Sequence, residues 1–177
     1  MTETLRFEEG GMNSGLPDRK IMRLKGYDYN RQGVIFLTVC TLDRKCILSQ
    51  IRMQEDQNVP SVLLSEYGRI AEKYLIQIGS FYDFIKIESY VIMPNHIQML
   101  LHIFPKEDCE SNTPRDSFVS RFISTFKRFC NREYGRNIWQ SRSYDHVIRD
   151  KADYDAKIRY IYENPKRWWM DELYASE

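Results

Sequence analysis

Residues 84 to 104 constrain the fold more than any other stretch of the chain. From Phe84 to Met93, Ile85, Ile87 and Val91 alternate with Lys86, Glu88 and Tyr90, the period-two pattern of a strand with two unlike faces. Pro94-Asn95 breaks the pattern, and it resumes from His96 to Phe104. Ile97, Met99, Leu101 and Ile103 share one face of this second strand, while His96, Gln98, Leu100 and His102 share the other. Two strands joined by so short a break form an antiparallel hairpin. The aliphatic face must be packed, and two histidines are left on its reverse.

The remaining segments fit around this hairpin. Val34 to Leu42 is β-branched and apolar, bounded by Gly33 and by Asp43-Arg44-Lys45, and reads as a central strand. Leu63, Tyr67, Ile70, Tyr74 and Ile78 recur at helical spacing, with Ser61 as expected N-cap and Gly79 as expected stop. Two prolines among acids and polar residues make 105–116 a loop. Phe118, Phe122, Ile123, Phe126 and Phe129 mark an amphipathic helix rich in Arg and Lys. After a loop around Gly135, Tyr144 to Arg149 reads as a short strand. Asp150 to Asn164 reads as a final helix, ended by Pro165. The order β, α, β, β, α, β, α is that of an α+β, ferredoxin-like (split βαβ) antiparallel sheet with two packed helices and one extra C-terminal helix.

Composition agrees with one ordinary domain. The 177 residues are 42% hydrophobic and 29% charged, and no apolar run is long enough to cross a bilayer. Residues 1–20, with three glycines and a proline among acids, read as a flexible lead, and 21–177 as a single domain. The lead has no apolar core of a signal peptide. The four cysteines are scattered, with no CxxC or CxxH pair, as expected of reduced thiols in the cytoplasm. Net charge is only +1, but Arg115 to Trp169 holds thirteen Lys/Arg against seven Asp/Glu. The C-terminal third thus faces a polyanion or simply presents solvated helix faces.

Two coincidences carry chemistry. On a strand, residues i and i+2 lie side by side, so His96 and Gln98 can converge on one cation, whereas His102 lies too far along. The same pattern also describes an ordinary half-solvated strand face. In the last helix, at about 100° per residue, Tyr160 falls off the Tyr154/Ile158/Ile161 stripe. It shares a face with Asp153, Lys157 and Asn164, the last being one turn on. Asn164 serves equally well as a helix C-terminal cap before Pro165.

Together these residues resemble a family. Val91-Ile92-Met93-Pro94-Asn95-His96-Ile97-Gln98-Met99-Leu100-Leu101 looks like the strand bearing the HUH metal motif of single-tyrosine insertion-sequence transposases, nearest to the REP-associated tyrosine transposases. Three more segments agree in order and spacing: Arg23 to Tyr29, Trp139-Gln140 with Tyr144 to Arg149, and Tyr160-Ile161-x-x-Asn164-Pro165-x-x-Trp168. The resemblance implies a strand-transferase acting on single-stranded DNA with hairpins, in which a helix-borne tyrosine forms a 5′-phosphotyrosine. It makes Tyr160 the nucleophile and His96, Gln98 and Asn164 the ligands of Mg²⁺ or Mn²⁺. Gln98 stands where the motif's second histidine is expected, and its amide oxygen suits those oxygen-loving ions.

Chemistry gives reasons for this set. A cation offsets the charge by which a phosphodiester repels nucleophiles. A phenol, with an ordinary pKa of about 10, needs such a cation, or Lys157 one turn earlier, to attack. A covalent tyrosine intermediate keeps the phosphodiester's free energy for rejoining. Lys25, Lys127, Arg128, Arg132, Arg142 and Arg149 are the expected phosphate contacts. Tyr144, Trp139 and the Trp168-Trp169 pair are candidate stacking platforms, Trp139 being equally suited to the core. The alternative function is a non-catalytic single-stranded nucleic-acid binder on the same scaffold. The chain is expected to act as a monomer or as a homodimer, with Tyr160 serving its own His96 or a partner's.

Overall fold

The structure, a computed structural model, describes residues 27–54, 59–104 and 117–171. The expected N-terminal lead, Lys25 and the 105–116 loop lie outside these residues.

A four-stranded antiparallel sheet forms the centre of the molecule. Its strands are β1 (Gly33–Cys40), β4 (Ile85–Met93), β5 (His96–Ile103) and β6 (Tyr144–Val147), in the order β4-β5-β1-β6. Setting aside a two-stranded insertion, this is the expected ferredoxin-like arrangement. The β4–β5 hairpin turns at Pro94-Asn95 as the alternation requires, with Met93 opposite His96. On the other side of β5, Cys40 is opposite His96 and Thr38 is opposite Gln98.

Two helices cover one face. Helices α1 (Glu66–Phe81) and α2 (Phe118–Tyr134) pack side by side on Ile35, Leu37, Val39, Ile97, Met99, Leu101 and Ile103. Burial of these alternate side chains supplies the main core, which Ala71, Leu75, Val119, Phe122 and Phe126 complete. Trp139 is 1% exposed and belongs to this core, packed on Phe126 at 5.4 Å between ring centroids. It is therefore not a stacking platform. Tyr29, also buried, anchors the chain entering β1, and the Asn30 side chain accepts from the Phe118 amide at 2.8 Å. The described residues before β1 are thus packed on the main core and the start of α2.

The opposite face is covered too. Helix α3 (Lys151–Met170) lies across it beside a second hairpin, β2 (Ser49–Gln54) with β3 (Val59–Leu64). Phe36, Ile51, Val91, Met93, Leu100 and Ile161 form a second, smaller core there. The β2–β3 hairpin replaces the expected upstream turn of α1. The helix starts after Ser65, whose hydroxyl accepts from the Gly68 amide at 3.1 Å, and Ser61 pairs with Arg52 inside the hairpin. At its other end α1 runs through Gly79 to Phe81. Helix α3 likewise passes through Pro165 to Met170. Pro165 removes one amide donor and yet does not end the helix, because Asn164 and Trp168 on either side of it are held against the sheet.

Candidate active site

The site lies where the end of α3 crosses the start of β5. His96 and Gln98 point from alternate positions of β5 into the α3 layer, and both are buried along with Asn164. Asn164 Nδ2 donates to Gln98 Oε1 at 2.6 Å and stands 3.4 Å from His96 Nε2. Two acceptors on one strand face therefore converge on a single amide nitrogen brought by the helix. Asn164 is not a C-terminal cap, since the helix continues past it.

His96 is held in one chemical state. Its Nδ1 donates to Asn95 Oδ1 at 2.7 Å, which leaves the lone pair on Nε2, the atom facing Asn164. Burial, with the positive charge of Arg44 adding to it, pushes its pKa down to about 4. At neutral pH the ring is uncharged, as a metal-ligating imidazole must be. The Trp168 ring, one turn beyond Asn164, lies 6.1 Å from the His96 ring and shields it.

Tyr160 stands one turn before Asn164 on α3, half-buried on the site side of the helix. Its ring meets Phe36 edge-on at 6.1 Å, and Phe36 is two residues along β1 from Thr38, the partner of Gln98. Arg167 lies over the Tyr160 ring at 5.2 Å and Lys157 over the Phe36 ring at 5.2 Å. These cations grip the aromatic pair from the turns before and after it. All four side chains of the expected catalytic set thus come from β5 and the last turns of α3 of one chain.

Further along, α3 is fastened to the sheet by two carboxylate contacts. His146 Nε2 on β6 meets Asp153 Oδ2 at 2.8 Å, and Glu88 on β4 accepts from Tyr154 and contacts His102. His102 and His146 are accordingly occupied in docking the helix.

The expected DNA contacts separate into groups. Lys127 is turned inward: its Nζ donates to Gln140 O at 2.7 Å, and burial lowers its pKa to about 8. It ties α2 to the loop before β6 and is not presented to phosphates. Arg128 and Arg132 are exposed on α2, in the layer across the sheet from His96. Arg142 and Arg149 are exposed at the two ends of β6, and the Arg149 amide donates to Asp153. Tyr144 and Trp169 are exposed, at 47% and 38%. Arg44, at the His96 end of β1, was not singled out by sequence. Asp43-Arg44-Lys45 reads there only as a polar strand boundary, and nothing local connects it to residue 96.

Comparison with known proteins follows this geometry. No protein-family model matches the chain. A solved structure of a REP-associated tyrosine transposase bound to a REP hairpin shares the fold, with a TM-score of 0.56 and 24% identity over 76% of this chain and 67% of that one. The REP-associated tyrosine transposase of Escherichia coli is 30% identical over 118 residues, 66% of each chain. The chain belongs to the REP-associated tyrosine transposases. A putative member from Haemophilus influenzae is 25% identical over 147 residues, covering 78% of this chain and 73% of its own. An uncharacterized protein of the same organism is 28% identical over 92% of this chain and 97% of its own length. With the family comes its function, that of a DNA transposase, an enzyme that cleaves DNA.

The donor set can be tested against a divalent ion. Among the described residues no three His, Cys, Asp or Glu side chains gather in one place, so an ion held by His96 would draw on the amide oxygens of its neighbours Gln98 and Asn164. His96 Nε2 and Gln98 Oε1 present lone pairs toward one point, now filled by the amide group of Asn164. That polar –NH₂ satisfies the acceptors as a cation would. Rotation of the amide about its last torsion exchanges the nitrogen for Oδ1, making three neutral donors, which fits Mg²⁺ or Mn²⁺.

Proposed function

We propose that this transposase cuts and rejoins hairpin-bearing single-stranded DNA, with Tyr160 as nucleophile and His96, Gln98 and Asn164 as the holders of Mg²⁺ or Mn²⁺. One observation supports it above the rest: Asn164 of α3 meets both His96 and Gln98, one turn from Tyr160. A divalent ion bound there supplies electrophilic assistance, drawing charge from a non-bridging phosphate oxygen. The chain's own residues do the remainder. The Asn95 hydrogen bond fixes His96 as a neutral donor, and Phe36, Lys157 and Arg167 set the Tyr160 ring. Attack of the Tyr160 oxygen forms a bond to phosphorus while the bond to the 3′ oxygen breaks. The phenolic proton ends on that oxygen, giving a 5′-phosphotyrosine and a free 3′-hydroxyl. Rejoining runs the same exchange backwards with a new 3′-hydroxyl.

The test is an adduct assay. A labelled hairpin-containing single strand is incubated with the protein and Mn²⁺ or Mg²⁺, and the mixture is denatured. A covalent band is expected from the wild type, none from Tyr160→Phe, and about tenfold less or lower from His96→Ala. Strand binding without an adduct under either metal would overturn the catalytic assignment and leave a DNA-binding protein.

A further inference from the structure

We propose that Arg44 is a phosphate-holding residue of this site, gripping the backbone of the bound strand next to His96. The inference rests on the reading of His96 and Tyr160 as the DNA-cleaving centre.

The chain leaves β1 at Cys40, the register partner of His96, and turns at once. The Thr41 amide donates to Asn95 O at 3.0 Å, and the Thr41 hydroxyl lies within hydrogen-bond distance of the same oxygen and of Lys45 O. Leu42 N donates to Ile138 O at 2.7 Å. The turn Leu42–Arg44 is therefore tied on one side to the residue preceding His96 and on the other to the core loop. Within it Asp43 and Arg44 have φ of 54° and 57°. Two successive non-glycine residues in the left-handed region are disfavoured, and such backbones concentrate at functional sites.

What this arrangement displays is an arginine with nothing to do. Arg44 is exposed, and among the described residues its guanidinium makes no hydrogen bond or ion pair. Its turn is nonetheless hydrogen-bonded to Asn95, the residue before His96. His96, Gln98 and Asn164 are all uncharged, and of the cations beside Tyr160, Arg167 is paired with Glu163 and Lys157 lies over the Phe36 ring. Lys127 is engaged with loop carbonyls. A guanidinium fork is shaped for two phosphate oxygens and stays charged at every working pH.

Fluorescence anisotropy with a labelled single-stranded DNA hairpin tests the assignment, across a series of salt concentrations, in EDTA and in Mg²⁺. Arg44→Gly suits the left-handed backbone, so its thermal midpoint should stay level or rise. Its DNA affinity should nevertheless fall by about tenfold, and the slope of log affinity against log salt should shrink by about 0.7 to 1. Arg44→Lys should restore the slope and only part of the affinity. Arg69→Gln, on the outer side of α1, should change neither. Unchanged affinity and slope in Arg44→Gly overturn the assignment without touching the Tyr160 chemistry. Arg44-dependent binding in a protein that forms no adduct would instead support the phosphate contact and overturn the cleavage reading.

Discussion

At the scale of single residues, His96 shows how burial prepares a side chain for its role. Its folded-state pKa of about 4 lies below the ordinary value of 6.5. Protonation is thus harder in the folded chain than in the unfolded one. Above pH 6.5 the residue is neutral in both states and adds no pH dependence. As pH falls from 6.5 toward 4, only the unfolded chain takes up the proton, and stability is lost across that window. At ~1.4 kcal/mol per pH unit the loss amounts to about 3 kcal/mol at most. Denaturant unfolding at pH 7 and pH 4.5 measures it, and His96→Gln should flatten the dependence by most of that amount. In an NMR titration the His96 ring should stay neutral at pH 5.5; a midpoint near 6.5 would show that the ring is solvated and the buried-ligand account mistaken.

At the scale of elements, the parts read well from sequence are those whose own period decides them. The β4–β5 hairpin follows from alternation on both sides of Pro94-Asn95, and α2 from its phenylalanine stripe. The errors fall where local pattern and tertiary packing compete. Leu63 matches the α1 period by coincidence, so residues 61–64 of the strand Val59–Leu64 read as the start of a helix. Pro60 is tolerated because, among the described residues, β3 pairs with β2 alone and so keeps an unpaired edge. Pro165 reads as a stop because sequence does not show that Asn164 will be held by His96 and Gln98. The start of α1 is fixed by a contact equally invisible locally. A Cβ on Gly68 would come within 2.0 Å of Leu48 O, and that backbone has no room to yield, since Leu48 N donates to Pro94 O at 3.0 Å. Gly68→Ala should therefore cost about 1–3 kcal/mol and disturb the turn that carries His96. Chemical denaturation and strand binding should both register it; a stability change under ~0.5 kcal/mol would show that α1 shifts freely away from β2.

At the scale of the molecule, the decisive fact is that α3 docks on its own sheet. Sequence supplied both halves of the site, the strand with His96 and Gln98 and the helix with Tyr160 and Asn164, but their meeting is a tertiary event. In this structure Asn164 closes on His96 and Gln98 of the same chain, and α3 is fastened by His146–Asp153 and by Glu88 under Tyr154 and His102. A helix pinned at both ends in this way places all four expected site residues on two packed elements of one chain. If this geometry holds during cleavage, each chain uses its own nucleophile. Mixing Tyr160→Phe protein with His96→Ala protein should then give no more covalent adduct than the two proteins assayed apart, at any concentration. Exchange of α3 between two copies would instead rebuild one intact site per mixed dimer, drawing the nucleophile from one mutant and the histidine from the other. Adduct would then rise toward a quarter of the wild-type yield, the share of intact sites in random pairing. The same two single mutants, compared alone and together on one gel, separate these outcomes, because only the exchanged arrangement can bring an unmutated Tyr160 to an unmutated His96.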